Sequence, residues 1–147
     1  MVTVRDLLKA KGKDVWSVSP DTTMAESLKM LAEKNVGALV VMEGESLAGI
    51  VSERDFARKI GGSGECQLET PISEIMTKEV IVVQPEQSVD EVMQLMTRGR
   101  IRHLPVIEEG KLIGLISIGD IVKTLISDQA AMIDSLENYI LGRGYGR

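Results

Sequence analysis

Apolar positions along the first third of the chain change period twice. Val15 to Val18 alternates like a short strand, and Pro20-Asp21-Thr22-Thr23 then supplies a turn and a helix N-cap. Met24, Leu28, Leu31 and Ala32 follow at spacings of three and four, the pattern of a helix with one buried face. Two β-rich runs, Ala38 to Met42 and Leu47 to Ser52, are joined by the hairpin-like Glu43-Gly44-Glu45-Ser46, and a second helix opens at Ser52 or Glu53. The unit reads β-α-β-β-α. The same order returns as Val80 to Val83, Val89 to Arg98, His103 to Ile107, Leu112 to Ser117 and a helix from about Ile118.

The recurrence is a duplication. Asp14 to Ile60 lies over Glu79 to Leu125 at a constant offset of 65 residues without a gap, placing Val18 on Val83, Pro20 on Pro85, Val41 on Val106, Gly49 on Gly114, Ser52 on Ser117 and Asp55 on Asp120. The apolar-acidic stretches before each copy, Val4 to Leu8 and Ile72 to Met76, also match when three residues are inserted. Gly61-Gly62-Ser63-Gly64 reads as the start of a flexible linker, with Thr70-Pro71 as a helix entry. The expected architecture is α/β (α+β): unit 1 over 1–64, unit 2 over 65–126, and a C-terminal helix extension with a loose tail over 127–147. A three-stranded sheet with both helices on one face leaves its other face partly bare, so the units should pack as a pseudo-twofold pair and neither should fold well alone. Beyond the repeat, Val122, Leu125, Met132, Ile133, Leu136 and Ile140 keep a helical spacing, with a possible break near Ser127-Asp128. A stripe with nothing left to cover predicts a homodimer.

Composition narrows the function classes. The 147 residues are 44% apolar and 27% charged, globular proportions without the ~20-residue apolar run of a membrane span. The opening Met-Val-Thr-Val-Arg-Asp resembles neither a secretory signal nor a transit peptide, so a cytoplasmic location is expected. One cysteine, Cys66, and one histidine, His103, exclude an internal disulfide and a Cys/His zinc site, and no metal is expected. Cys66 has no base near it in sequence, and His103 suits cleft lining better than catalysis. A net charge of −5 makes nucleic acid an unlikely partner. Trp16, Phe56, Tyr139 and Tyr145 are the only aromatics, so a flat ligand would have to lie mainly against aliphatic groups.

The duplicated signatures Gly49-Ile50-Val51-Ser52-Glu53-Arg54-Asp55 and Gly114-Leu115-Ile116-Ser117-Ile118-Gly119-Asp120 share the form Gly-apolar-apolar-Ser-x-x-Asp. Set after a hairpin in a β-α-β-β-α unit, and with Ile101-Arg102-His103-Leu104-Pro105-Val106 in the second copy, they resemble the cystathionine-β-synthase (CBS) domain pair, or Bateman module. The finer pattern is similar to stand-alone CBS-pair proteins of the kind labelled as related to IMP dehydrogenase. The resemblance implies a non-catalytic regulatory module that binds AMP, ADP, ATP, NAD(H) or S-adenosylmethionine between its two units, dimerises into a four-unit disc and acts on a protein in trans. It implies no catalytic residue and no cofactor beyond that regulatory nucleotide. IMP dehydrogenase activity itself would need a separate barrel of about 250 residues, for which the repeat leaves no room.

The residues support a nucleotide site in their own right. A strand ending in Ser52 or Ser117, with a helix starting at once, aims backbone N–H groups at the cleft mouth, and Asp55 or Asp120 could accept both ribose hydroxyls. Ser-x-x-Asp is equally a capping-box variant, and duplication copies a cap as readily as a site. The copies differ, since Arg102 stands where the first has Gly37, and Arg54 and Arg58 stand where the second has Gly119 and Lys123. The expected site therefore uses Ser52 with Asp55 and Ser117 with Asp120, takes phosphate on Arg54 and Arg102, and lays adenine against Ser17, Val18, Gly37 and Ala38, or Val82, Val83, His103 and Pro105. Arg98, Arg100 and Arg102 can also be read as cations favoured at a helix C-terminus. The rival function is a ligand-free dimeric scaffold whose signatures only cap helices.

Overall fold

A computed structural model describes residues 1–12 and 14–140. The expected loose tail from 142 to 147 lies outside the described residues. Thr3 caps α1 (Val4–Lys11), and the first unit follows as β1 (Ser17–Val18), α2 (Met24–Lys34), β2 (Ala38–Glu43), β3 (Ser46–Ser52) and α3 (Glu53–Ser63). A 3-10 turn at Ile72–Glu74 leads to α4 (Val89–Gly99), β4 (His103–Glu108), β5 (Lys111–Ser117) and α5 (Ile118–Ile140). The fold is α+β in two like halves. Gly61, Gly62 and Ser63, expected to begin a linker, instead form the last turn of α3, and Gly64 ends it at φ +71° in the left-handed region. α5 runs through Ser127 and Asp128 unbroken for 23 residues, about 34 Å.

The duplication is written into the register. Val41 faces Gly49 and Val106 faces Gly114, and the antiparallel ladder slips at the same place in each copy, between Val41 and Met42 and between Val106 and Ile107. The third strands differ. In unit 1, β1 runs parallel to β2, with the Val40 N–H donating to the Trp16 carbonyl at 3.3 Å. The residue matching Val40 is Pro105, which has no N–H to give. Val80 to Val83 accordingly forms no strand, and only Val83 bridges to Val106, through Val83 N–H to Pro105 O (3.0 Å) and Ile107 N–H to Val83 O (2.9 Å).

The segments before each repeat are packed crosswise. Val4, Leu7 and Leu8 of α1 are buried with Val83, Val92, Leu104, Val106, Ile116 and Ile121, the core of unit 2. Ile72 and Ile75, which precede unit 2 in sequence, are buried with Met24, Leu31, Leu39, Val51 and Phe56 of unit 1. Backbone bonds follow the same exchange: Val4 N–H donates to Gln87 O and Ile72 N–H to Thr22 O. A third cluster, Ala38, Val40 and Leu115, joins the two sheets. Each half therefore completes the other.

This exchange explains the signature glycines. A Cβ on Gly49 would lie 2.7 Å from Met76 Sδ and 2.8 Å from the Thr77 carbonyl, and one on Gly114 would lie 2.5 Å from Leu8 Cδ2. The contact at Gly114 is with the end of a side chain, whereas at Gly49 it includes the Thr77 backbone, which also exchanges hydrogen bonds with Ile50 and cannot yield. Gly49→Ala is thus expected to cost about 2–3 kcal/mol, and Gly114→Ala about 1 kcal/mol or less, by urea unfolding. Equal costs would contradict this packing.

Candidate functional site

The two signatures build the same turn. Ser52 and Ser117 end β3 and β5, and each donates its N–H to the aspartate three residues on, at 2.8 Å to Asp55 Oδ2 and 2.8 Å to Asp120 Oδ2. The first helical N–H groups, of Glu53 and Ile118, are taken by the carbonyls of Gly37 (3.0 Å) and Arg102 (2.9 Å). Asp120 N–H reaches Ser117 Oγ at 3.2 Å. The helix entrances therefore offer a ligand fewer open N–H groups than the sequence implies. Capping is real, but it does not settle function, because Thr3 and Asp6 make the same box at the start of α1.

What sets Asp120 apart is its surroundings. A cleft of about 330 Å3 is lined by Asp14, Val15, Trp16, Asn35, Val36, Gly37 and Ala38 of unit 1, by His103, Leu115, Ser117, Gly119, Asp120 and Lys123 of unit 2, and by Lys11 of α1. It spans the pseudo-twofold. The aliphatic backbone wall belongs to unit 1 and the Ser-x-x-Asp turn to unit 2. Lys11 Nζ sits 2.7 Å from Asp120 Oδ2 and donates to the Leu115 carbonyl at 2.5 Å. Burial raises the Asp120 pKa, but the Lys11 ammonium and the Ser117 N–H outweigh it and hold the carboxyl below its ordinary value. Among the described residues Oδ1 accepts no hydrogen bond, so one ionised oxygen is open to a ligand.

His103 opens β4 opposite Ser117 and packs against Gly37, where a Cβ would come 3.2 Å from Nε2. Burial, with Lys11 nearby, depresses its pKa, so the imidazole is neutral at pH 7 and can either donate or accept. Trp16 is 37% exposed on the cleft wall, with Lys34 Nζ 4.2 Å from its ring centroid. An open groove of about 390 Å3 adjoins the cleft and shares Asn35, Val36 and Gly37 with it.

Of the expected site residues, the structure brings Gly37, Ala38, His103, Ser117 and Asp120 together. Others are placed elsewhere. Val18 and Val83 are 7% and 0% exposed and point into the two cores, so their side chains are spent on packing rather than on an adenine ring. Pro105 is buried mid-strand, and Ser17 is exposed on β1 beside, not within, the lining. Val82 is exposed in the unpaired segment before Val83. Ser52 and Asp55 form the other turn, where Asp55 Oδ1 accepts from Thr77 Oγ1 at 3.4 Å.

The two arginines do not line the described cleft. Arg54 Nη1 donates to the Arg100 carbonyl at 3.0 Å, satisfying the left-handed C-cap of α4. The matching residues in the open cleft are Gly119 and Asn35, which leave that edge unbridged. Arg102 is exposed, and its carbonyl caps α5. Sequence reasoning missed Lys11, Asp14, Trp16, Asn35 and Lys123. Trp16 carried a signal, since one of four aromatics just before a strand is a costly place for an exposed ring.

Cys66 is exposed and free. Among the described residues no group of three or more His, Cys, Asp or Glu side chains could hold a metal ion, and no helix is long and apolar enough to cross a membrane.

Two duplicated units, β-α-β-β-α followed by α-β-β-α, with a cleft across their junction define a tandem-repeat module. The CBS domain pattern matches residues 4–62 and 72–127, and the chain belongs to the CBS domain family, as a tandem pair. It is 42% identical to the mitochondrial CBS domain-containing protein CBSX3 of Arabidopsis thaliana, over 97% of this chain and 73% of that protein. A match to an inosine-5′-monophosphate dehydrogenase of Korarchaeum cryptofilum, 36% identical over 74% of this chain, covers only 22% of that enzyme. Among solved structures, a CBS-domain protein from Burkholderia ambifaria superposes with a TM-score of 0.83 at 49% identity, covering 87% of this chain and 96% of that one. The CBS pair of protein MJ0100 in complex with 5′-methylthioadenosine and S-adenosyl-L-methionine superposes with a TM-score of 0.76 at 25% identity, covering 87% and 98%. CBSX2 in complex with AMP does so at 0.71 and 25%, covering 86% and 98%.

Proposed function

We propose that this CBS pair is a non-catalytic sensor of an adenosine-containing ligand, bound in the cleft between the Trp16–Ala38 wall and the Ser117–Asp120 turn. The observation that carries the reading is the Asp120 carboxylate, with one oxygen free of hydrogen bonds among the described residues, sharing with Gly37 and Ala38 the lining of a cleft of nucleoside size. Asp120 accepts the ribose hydroxyls, the adenine lies between Trp16, Val36 and Leu115, and the 5′ group meets Lys11 and Lys123. A cleft of about 330 Å3 is near the lower end of small-ligand sites, which favours one adenosine unit over a fully enclosed NADH. Non-catalysis is supported by the dehydrogenase match, which involves a minor part of that enzyme. In protein stripped of nucleotide, a ligand among AMP, ATP, NADH and S-adenosylmethionine at 100 times its Kd should stabilise the fold by about 2.7 kcal/mol in a thermal-shift assay. No shift with any of the four would refute the sensor.

One observation favours the scaffold reading: both signature aspartates already cap helices. Under either reading α5 presents Val122, Ile126, Met132, Ile133, Leu136 and Ile140 at 46–76% exposure, a stripe that we propose pairs with a second copy of the chain, through which a partner in trans would be regulated. Met132→Glu with Leu136→Glu should then convert a dimer to a monomer in sedimentation. A wild-type monomer would contradict the pairing.

A further inference from the structure

Resting on the reading of the cleft as an adenosine site, we propose that Lys11 is a specificity-determining residue that makes the site select adenosine ligands carrying an anionic 5′ group. Lys11 is the last residue of α1, and its ammonium holds the carboxylate that a ribose needs, at 2.7 Å from Asp120 Oδ2, while donating to Leu115 O. The side chains are 31% and 16% exposed, so the pair is partly withdrawn from water and its charges are felt more than on an open surface. Oδ1 can take one ribose hydroxyl freely, but a second hydroxyl must use Oδ2 and so competes with this ammonium. A neutral ligand gives Lys11 nothing in return and leaves it short of a partner in a half-dry cleft.

A 5′-phosphate restores a charge-assisted bond to Lys11 as the ribose takes its place on Asp120. A sulfonium at the same position adds a third cation to Lys11 and Lys123. Lys123, one helical turn beyond Asp120 on the same lining, makes no ion pair among the described residues. Asp14 is the other carboxylate of the lining, and no ion pair joins it to Lys11. Lys11 closes α1, whose buried residues are Val4, Leu7 and Leu8, so rotation about its own side-chain bonds can carry the ammonium from Asp120 to a phosphate without moving that buried face.

The test is calorimetric titration of AMP, 5′-methylthioadenosine and S-adenosylmethionine into the wild type, Lys11→Met and Lys11→Arg. The wild type should bind AMP about tenfold or more tighter than either other ligand, a difference of about 1.4 kcal/mol. Lys11→Met should shrink that ratio to about threefold and tighten 5′-methylthioadenosine, because Asp120 is released, whereas Lys11→Arg should keep the preference. An unchanged ratio in Lys11→Met, or weaker 5′-methylthioadenosine binding in it, overturns the role of Lys11 while leaving the site standing. Binding of none of the three to any of the proteins overturns the site reading and this inference with it.

Discussion

Removal of residues 1–12 is expected to unfold the second half of the chain and spare the core of the first. Val4, Leu7 and Leu8 are at most 6% exposed in the unit 2 core, and each such side chain contributes about 1.5–3 kcal/mol by burial. Their joint loss approaches the whole stability of an ordinary domain, about 5–15 kcal/mol. Hydrogen exchange should then show protection lost across α4, β4 and β5 but kept in β2 and β3, where Ile72 and Ile75 still close the core. The point variants mirror one another. Leu7→Ala should cost about 2–5 kcal/mol and loosen unit 2, and Ile72→Ala should do the same to unit 1. Loss of protection in the first half on deleting the N-terminus would contradict the crosswise cores.

Asp120→Ala is expected to have the largest effect on binding. It removes an ionised acceptor serving two ribose hydroxyls, worth about 2–3 kcal/mol or roughly 100-fold in Kd, while the lost cap and the broken pair with Lys11 cost the fold about 1–2 kcal/mol. Asp6→Ala is the matched control. It breaks the same capping geometry at the far end of α1 from Lys11 without removing a lining residue, so it should lower stability by about 1 kcal/mol and leave the Kd unchanged. If both variants bind like the wild type, the signature is a cap alone and Asp120 is not the ribose acceptor.

Much of the fold was legible because a duplication constrains itself. One offset placed Val41 over Val106 and Gly49 over Gly114, and the shared register and shared slip in the ladders follow from it. The exchange of Val4–Leu8 and Ile72–Met76 was not legible, because an apolar spacing shows that a segment is buried, not which core buries it. The lost strand at Val80–Val83 was within reach, since Pro105 stands openly where Val40 donates. Gly61 and Gly62 misled because glycine weakens a helix by about 1 kcal/mol without forbidding it, and here the helix ends only at Gly64.

The site was legible in its chemistry and not in its pairing. Asp120, Ser117, Gly37 and Ala38 were singled out, yet nothing in a linear pattern says that the turn of unit 2 faces the wall of unit 1. Lys11 was invisible for the same reason, since 109 positions separate it from the aspartate it pairs with. Val18 and Val83 were placed in the cleft because an apolar residue beside a ligand and one in a core look alike in sequence. Charge alone marks the arginines, and it does not show that Arg54 donates to the Arg100 carbonyl or that neither arginine lines the described cleft.

The central claim is that an adenosine ligand sits between Trp16 and Asp120, and the chain's single tryptophan reports on that place directly. The decisive measurement is a titration of AMP followed by Trp16 emission and by calorimetry on the same samples. The account predicts a saturable change in emission with the same Kd as the heat, near one ligand per chain at this cleft, and loss of both signals in Asp120→Ala. Heat without a change at Trp16, or a Trp16 response that persists undiminished in Asp120→Ala, would contradict it.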